Sequence, residues 1–345
     1  MGGAGVITPP LPLLSRVIVL CGVFHYDESM ETKQRNHTID VLKLIFSLCI
    51  IGIHLNLFKD SSTPAYWTIT QSLFRIGVPF YFITSGYYFA SKLHDDTRSN
   101  AWLMRLLKIY LVFEAIDIGL NLAVGNRLPI GIILLRVCTT GMNRIYWYLV
   151  SLLVTCALCR PLWKRGHTGI LIGIGFLLYL LTMTYDSYSW LFAGTVFEQI
   201  GAWHTSIWSW PQAGFGESVL FLSLGIWLHQ KHIQSAHAGM ILFCSMVFLL
   251  MEGWLCQSHG AADANCYLSL IPVSICLFLW ILDHPHICRI PHAGDMSLYV
   301  YMIHTYFNYV SYIAPVSPLR FLLSASLSLL ASALIVRIRS MNKSA

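Results

Sequence analysis

Charged side chains are scarce in this sequence. Only 11% of its 345 residues are Asp, Glu, Lys or Arg, whereas soluble domains carry about a quarter charged residues. So few charges cannot cover a water-facing surface, which excludes a single soluble domain and a disordered chain. Acidic residues are the scarcer sign, with 16 Asp and Glu against 22 Lys and Arg. This modest basic balance suits anionic membrane lipids and requires no nucleic acid.

Cysteine is present, but its placement predicts no metal or redox site. Most of the ten cysteines lie inside apolar runs, where cysteine acts as a small apolar residue. Cys156 and Cys159 form a CxxC pair within such a run and not beside a redox fold. Cys256 and Cys266 flank a predicted outer loop, where a disulfide is the alternative to the free thiols that we favour.

Apolar runs take up most of the chain, since 56% of the residues are hydrophobic. A helix needs about 20 mostly apolar residues to cross the hydrocarbon of a membrane. The runs predict an all-α fold, a polytopic membrane helical bundle of about ten transmembrane helices. The predicted spans are residues 41–58, 70–91, 103–124, 146–163, 168–185, 217–230, 238–256, 266–282, 295–313 and 318–336.

The distribution of Lys and Arg predicts the orientation of this bundle. These residues are concentrated on the side that holds the segment before the first span, and such a bias marks the cytoplasmic side. We therefore predict a multi-pass protein of the plasma or inner membrane with both termini cytoplasmic. Residues 37–340 are predicted to form the ten-helix membrane domain. Residues 1–36 are interpreted as a cytoplasmic or spurious N-terminal segment, because the apolar stretch 11–24 is short and contains Arg16.

Ionisable residues at hydrocarbon depth are costly and therefore mark candidate functional sites. In the first predicted span, Lys43 and His54 are 11 residues apart, which puts them on one helix face about 16 Å apart. Asp40 joins this face one turn earlier. The alternative is a snorkelling Lys43 and a His54 that bonds a neighbouring helix. The other candidates at hydrocarbon depth are Arg75, Glu114, Asp117, Glu217, Glu252 and His304.

The second predicted span combines a charge with residues that disturb a helix. Arg75 is followed by Gly77 and Pro79, and irregular backbone at this depth is tolerated where it lines a cavity or packs against protein. Ser85 and Gly86 further on indicate either part of such a cavity or a close helix-packing notch.

Two carboxylates share one face of the third predicted span. Glu114 and Asp117 have the i, i+3 spacing of helix neighbours. We expect them to neutralise Lys43 or Arg75 by pairing, with a functional role as the alternative.

Five short motifs follow one another along the chain. They are residues 40–54 (Asp-x-x-Lys, ten residues, His), 78–87 (VPFYFITSGY), 105–110 (RLLKIY), 147–149 (WYL) and 297–304 (SLYVYMIH). This ordered set resembles that of the acyltransferase-3 family of integral membrane O-acyltransferases, and it also resembles the membrane part of vancomycin-resistance serine racemases. Lys43 stands where the family usually has Arg, which keeps the charge but loses the planar bidentate fork. Leu111 stands where a Pro is usual, so the third helix is expected to be straighter.

The resemblance implies transfer of an acyl group, usually acetyl, from a coenzyme A thioester to a hydroxyl of an envelope glycan or lipid-linked acceptor. Acetyl-CoA is then a substrate, and neither a bound cofactor nor a metal is expected. Neutral imidazole suits removal of the hydroxyl proton, so His54 is the predicted general base. Lys43, with Asp40 beside it, is predicted to hold donor phosphates or developing negative charge. The predicted donor- or substrate-binding residues are Arg75, Ser85, Trp147, Tyr148 and His304.

Other interpretations remain open from the sequence. His304 is the rival base, interpreted as structural because no cation shares its helix face at a comparable spacing. A transporter that exports a small molecule or flips a lipid-linked one is the alternative function. A non-catalytic scaffold explains least of the buried charge. Residues 186–216 are rich in Trp and Tyr, which suit sugar rings or a membrane interface equally well.

Overall fold

All regular secondary structure of the described residues is helical. The computed structural model describes residues 36–344 apart from 127, 234–236, 262 and 286–288, and this part of the chain contains no β-strand. The N-terminal segment thus lies outside the described residues except for its last residue, Asn36. The all-α fold is confirmed. The longer helices are α1 (His37–His54), α2 (Gly77–Ala90), α3 (Asp96–Ala123), α4 (Ile130–Thr139), α5 (Trp147–Lys164), α6 (Thr168–Tyr185), α7 (Val196–Trp208), α8 (Ser218–Lys231), α9 (Ala238–Ser258), α10 (Leu270–Asp283), α11 (Ala293–Ser311) and α12 (Ser317–Ser344).

Each predicted span overlaps one of these helices, but not all of the helices qualify as spans. Within the described residues, four helices are long and apolar enough to cross a membrane, namely α1, α6, α9 and residues Ser317–Met341 of α12. They agree with a membrane helical bundle, whereas the number of ten spans stays a prediction. Helices α4 and α7 occupy segments between predicted spans, where the sequence analysis placed loops.

The bundle is apolar outside as well as inside. Helix α9 exposes large apolar side chains such as Phe243, which is 70% exposed, and Met251. Exposed apolar surface of this kind marks contact with a membrane or another apolar partner. The interior holds fully buried aromatic side chains, among them Trp163, Tyr179 and Phe221.

The second predicted span is not one continuous helix. A π-helical turn (Tyr66–Thr70) and a 3-10 turn (Leu73–Ile76) precede α2. Pro79 is the third residue of α2, where its missing N–H costs no intrahelical bond. The irregular backbone that Gly77 and Pro79 indicated in this span therefore lies just before those residues, in the two turns. The break leaves Arg75 in irregular backbone immediately before α2.

Helices α2 and α8 cross where a glycine of each meets the backbone of the other. A Cβ on Gly86 would lie 2.2 Å from the carbonyl oxygen of Leu222, and a Cβ on Gly225 would lie 2.1 Å from that of Ile83. These distances are far below van der Waals contact, so the crossing requires glycine on both helices. Gly86 is thus a helix-packing residue, which was one of its two interpretations.

Contacts on several sides fix the rotation of α1, which packs against α2, α11 and α12. The side chain of Asn36 caps its first turn by accepting a hydrogen bond of 3.1 Å from the Ile39 amide. The same side chain donates to the carbonyl of Ile281 at 3.1 Å. The Phe46 ring lies 5.1 Å from that of Phe80 on α2. These contacts determine which face of α1 points into the bundle.

Candidate active site

A cavity of about 1280 Å³ lies within the bundle, between α1, α2, α3, α5, α8, α11 and α12. Its wall includes polar and aromatic side chains from every one of these helices. Of the eight predicted site residues, seven line it, and His304 does not. The seven are Asp40, Lys43, His54, Arg75, Ser85, Trp147 and Tyr148.

Helix α1 supplies one wall of the cavity. It is unbroken from His37 to His54, so Lys43 and His54 are separated by about 16 Å along the axis. Asp40, Lys43 and His54 all reach the cavity, as their spacing predicts. The Lys43 amine lies 5.9 Å from the centre of the Tyr88 ring. The hydroxyl of Tyr81 donates to the backbone carbonyl of Lys43.

His54 and His304 form a stacked pair across α1 and α11. Their ring centres are 5.4 Å apart, and their planes meet at 21°. His304 is fully buried, and its Nδ1 lies 2.7 Å from the carbonyl oxygen of Tyr301. Since a carbonyl oxygen only accepts, the neutral ring must carry its proton on Nδ1. Its Nε2 is then unprotonated, and no described residue hydrogen-bonds it.

Arg75 is the centre of a buried polar network. Its guanidinium donates to Asp263, Asn265 and, at 2.6 Å, Gln71. Only 8% of its side chain is exposed, although it lines the cavity. The sequence left open whether Arg75 binds a donor or pairs with a carboxylate, and the ion pair with Asp263 is of the second kind.

The carboxylates of α3 have partners other than those expected. Both oxygens of Glu114 accept from the Met142 amide, at 3.2 and 3.1 Å, and Asp117 accepts from the hydroxyl of Tyr306 at 2.7 Å. The pairing with Arg75 was therefore wrong. The physical reason is that this face of α3 meets the segment before α5 and helix α11, which supply an amide and a phenol.

Aromatic side chains form the middle of the cavity wall. The hydroxyls of Ser85 and Tyr148 lie 3.1 Å apart, which joins α2 to α5. The Tyr148 ring lies 5.8 Å from the Tyr81 ring and 5.9 Å from the Tyr301 ring. Trp147 is buried beside it at the first turn of α5. These contacts bring together residues of three separate motifs.

One end of the cavity is strongly basic. Lys92 lies in the connection from α2 to α3, and Arg98 and Arg105 lie on α3. These three line the cavity together with Lys43 of α1 and Arg339 of α12. We call these five residues the basic end. Sequence reasoning named Lys43 as a site residue and Arg105 only within a motif. Lys92, Arg98 and Arg339 were not predicted. Their segments are far apart in the chain or polar enough to be interpreted as solvated loops.

Gln212, Glu217, Asn265 and Arg75 line the cavity at another point, and we call them the polar recess. Helix α2, with 14 residues, is about 20 Å long. Arg75 lies just before its first residue and Lys92 just after its last, so the helix separates the recess from Lys92. The sequence analysis singled out the two charged members. It missed Gln212 and Asn265, which lie in loops that carry no periodic signal.

The acids and thiols beside the recess are structural. Asp186 accepts from the amides of Asn265 and Cys266, each at 2.7 Å, and burial raises the pKa of its carboxyl. Cys256 and Cys266 are free thiols, as the sequence analysis favoured over a disulfide. Across the described ranges, no group of three or more His, Cys, Asp and Glu side chains could hold a metal ion.

Comparison with known proteins identifies a family whose sequences match this chain. The profile of one protein family, described as an acyltransferase domain, matches residues 36–337. A serine/alanine racemase of Enterococcus gallinarum is 27% identical over 287 residues, and an amino-acid racemase of Enterococcus faecalis is 23% identical over 288 residues. Each match covers 79% of this chain but only 41% of the relative. No solved structure matches the chain.

Proposed function

The chain belongs to the acyltransferase family that this domain defines, and on that premise we propose that it is a membrane O-acyltransferase. Family membership confirms the resemblance drawn from the motifs. In our proposal, the chain transfers an acyl group other than an aminoacyl group, most simply acetyl, from a coenzyme A thioester. The acceptor is a hydroxyl of an envelope glycan or another cell-surface molecule, so the reaction is an O-acetylation at the cell envelope.

The observation that carries this proposal is that one cavity connects the basic end with His54. Small-molecule sites usually measure about 300–1,000 Å³, so about 1280 Å³ leaves room for a large ligand and part of a second. Coenzyme A carries several phosphate charges, which five basic side chains would attract. The proposal places the phosphates at the basic end, on the cytoplasmic side, and the thioester near His54.

The proposed reaction needs a base where the acceptor enters. The acceptor hydroxyl attacks the thioester carbonyl carbon, and its proton passes to the neutral imidazole of His54. The carbon–sulfur bond breaks, and the departing thiolate takes that proton back from the His54 imidazolium, which gives free coenzyme A and regenerates the neutral base. Stacking on the fully buried His304 supports this role, because it limits the rotation of the His54 ring. An acyl-His54 intermediate is the variant of this mechanism in which the imidazole itself attacks first.

Transport is the second candidate function, favoured by the length of the cavity. Polar residues line it from the basic end to the polar recess, and such a lining suits the passage of a polar solute. The racemases that resemble this chain are named for reactions of amino acids. An amino acid would be the solute to try first. We do not infer racemase activity for this chain from these names, because the match covers only 41% of the length of each relative.

One experiment separates the two functions. The purified chain in proteoliposomes is given acetyl-labelled acetyl-CoA and an envelope extract, and in parallel labelled serine without acetyl-CoA. The proposal expects label in the extract and no serine uptake above empty liposomes. Serine uptake with no acyl transfer would support the transporter instead.

The acceptor is identified by comparing cells with and without the gene. Ester-linked acetyl is released from envelope polymers by mild alkali and measured as acetate. The polymer that loses acetate in the deletion strain, and regains it when the gene is returned, is the acceptor. An unchanged acetate content in every polymer would exclude an envelope glycan as the acceptor.

A further inference from the structure

The polar recess contains buried polar atoms that the described residues leave without partners. Gln212 and Arg75 are each 8% exposed, and Glu217 is 2% exposed. The atoms without a hydrogen-bond partner are Arg75 Nε, Gln212 Oε1 and Glu217 Oε2. All three side chains line the cavity. Buried polar groups in folded proteins are almost always paired, so these atoms are available to hydrogen-bond a molecule that enters the cavity.

Glu217 is the most unusual member of the recess. It is the last residue before α8, but its side chain does not cap that helix. One carboxylate oxygen accepts only the weak thiol hydrogen bond of Cys266, at 3.6 Å. No Lys, Arg or His nitrogen of the described residues forms an ion pair with it. A buried carboxylate without a direct ion-pair partner is costly, and the nearby charge of Arg75 and the positive end of the α8 dipole offset only part of that cost.

Other buried acids of the bundle do not share this situation. Glu252 accepts from the amides of Leu268 and Ser269 at 2.7 and 2.9 Å, and from two hydroxyls. Asp186 is bonded equally fully. Asp117 has one oxygen without a partner in the described chain, but it does not line the cavity. Glu217 therefore combines a free oxygen, burial and access to the cavity.

The chemistry of the three atoms selects the ligand. Two acceptors, one of them a carboxylate oxygen, match an ammonium group, which has several N–H donors, a positive charge and no acceptor. A hydroxyl has one donor and could satisfy only one of the two. The remaining atom, the N–H of Arg75, needs an oxygen on the same ligand. A small primary amine that also carries a hydroxyl or carboxylate has this pattern.

We propose that the polar recess binds the ammonium group of the acceptor, with Glu217 as the residue that selects it and Gln212 as its second hydrogen-bond acceptor. Calling the ligand the acceptor rests on the proposed function. The binding site itself does not, because binding is measured without acetyl-CoA.

The test uses two compounds that differ only in the group concerned. Thermal unfolding of the purified full chain in detergent is followed with increasing glucosamine or glucose, which share a ring but carry an ammonium or a hydroxyl. We expect saturable stabilisation by glucosamine, with an apparent Kd at least about tenfold below that for glucose, as a charge-assisted hydrogen bond predicts. In Glu217→Gln this preference should fall to about twofold or less.

Glu198→Gln, on exposed α7, is the control and should keep the preference. Should Glu217→Gln fail to fold, the comparison of the two sugars with wild type still tests the proposal. Gln212→Ala provides a second test, because loss of this acceptor should also reduce the preference for glucosamine. Equal binding of both sugars, no binding of either, or a preference retained in folded Glu217→Gln would each overturn the proposal. A chain that binds glucosamine selectively but transfers no acetyl to any acceptor would contradict only the proposed function.

Discussion

At the scale of single residues, the chemistry of the site depends on which nitrogen of His304 is protonated and on where the charged side chains lie. Nδ1 of neutral His304 is committed to a backbone carbonyl, and the ring stacks on His54. The guanidinium of Arg75 is held by Asp263 and Asn265. The basic end carries its charges on side chains from three helices and the connection between α2 and α3, which suits binding of an extended anion better than proton transfer.

Lys43 tests the role of the basic end. Lys43→Ala removes a charge and should raise the apparent KM for acetyl-CoA roughly tenfold, the value of about 1.4 kcal/mol of lost binding, with little change in acceptor use. Lys43→Arg keeps the charge and should stay within about twofold of wild type. Initial rates over a range of acetyl-CoA concentrations provide both values. If Lys43→Ala raised only the KM for the acceptor, this would contradict a role of Lys43 in binding the donor.

Residue types and spacing predicted part of this site and not the rest. The 11-residue spacing was enough to put Lys43 and His54 on one face, because α1 is a regular helix. The stacking of His54 on His304 joins residues 250 positions apart, and the pairing of Arg75 with Asp263 joins residues 188 apart. No local periodicity specifies such contacts, since they follow from the packing of whole helices.

At the scale of elements, the crossing of α2 and α8 positions Arg75, Ser85 and Glu217 around one cavity. The sequence left open whether Gly86 lines a cavity or packs against a helix, and it could not identify Leu222 as the partner. Likewise, Gly77 and Pro79 suggested irregular backbone without locating it at residues 66–76. The π and 3-10 turns there depend on tertiary contacts that propensity does not contain.

Gly86→Ala tests the crossing. The new Cβ would meet the Leu222 carbonyl at 2.2 Å, so the two backbones must move apart. Overpacking of this kind typically costs about 1–3 kcal/mol. We expect a lower melting temperature for the purified variant in detergent, together with weaker acyl transfer.

Gly119→Ala on α3 is the matched control, since nothing lies within 4 Å of its Cβ. It should leave the melting temperature unchanged or raise it, because Ala is favoured over Gly in a helix by about 0.5–1 kcal/mol. Equal melting temperatures for Gly86→Ala and wild type would show that α2 and α8 are not held in close contact.

At the scale of the whole molecule, the composition was sufficient to predict a membrane protein and an all-α fold. Four helices meet the length and hydropathy of a span on their own. The shorter helices, such as α2 and α10 with 14 residues each, do not. The cavity could not be predicted at all, because its wall is assembled from at least seven helices and the loops between them.

Reporter fusions test the predicted topology. Fusions after Ser62, Gly201 and Ala261 should report the outer side of the membrane, and a fusion after Asp95 should report the cytoplasm, because Lys and Arg accumulate there. Paired reporters that are active on opposite sides provide the measurement. A cytoplasmic signal at Gly201 would contradict both the ten-span arrangement and the proposed cytoplasmic position of the basic end.

The most direct test of the account is acyl transfer by folded His54→Ala. Purified wild type and variant in proteoliposomes receive labelled acetyl-CoA and an envelope extract, and the label in the extract is measured together with free coenzyme A. Loss of the general base should lower the rate roughly 10²–10⁴-fold, while thermal unfolding stays close to wild type. A near-normal rate in His54→Ala, with no activity in folded His304→Ala, would assign the base to α11 and contradict the account.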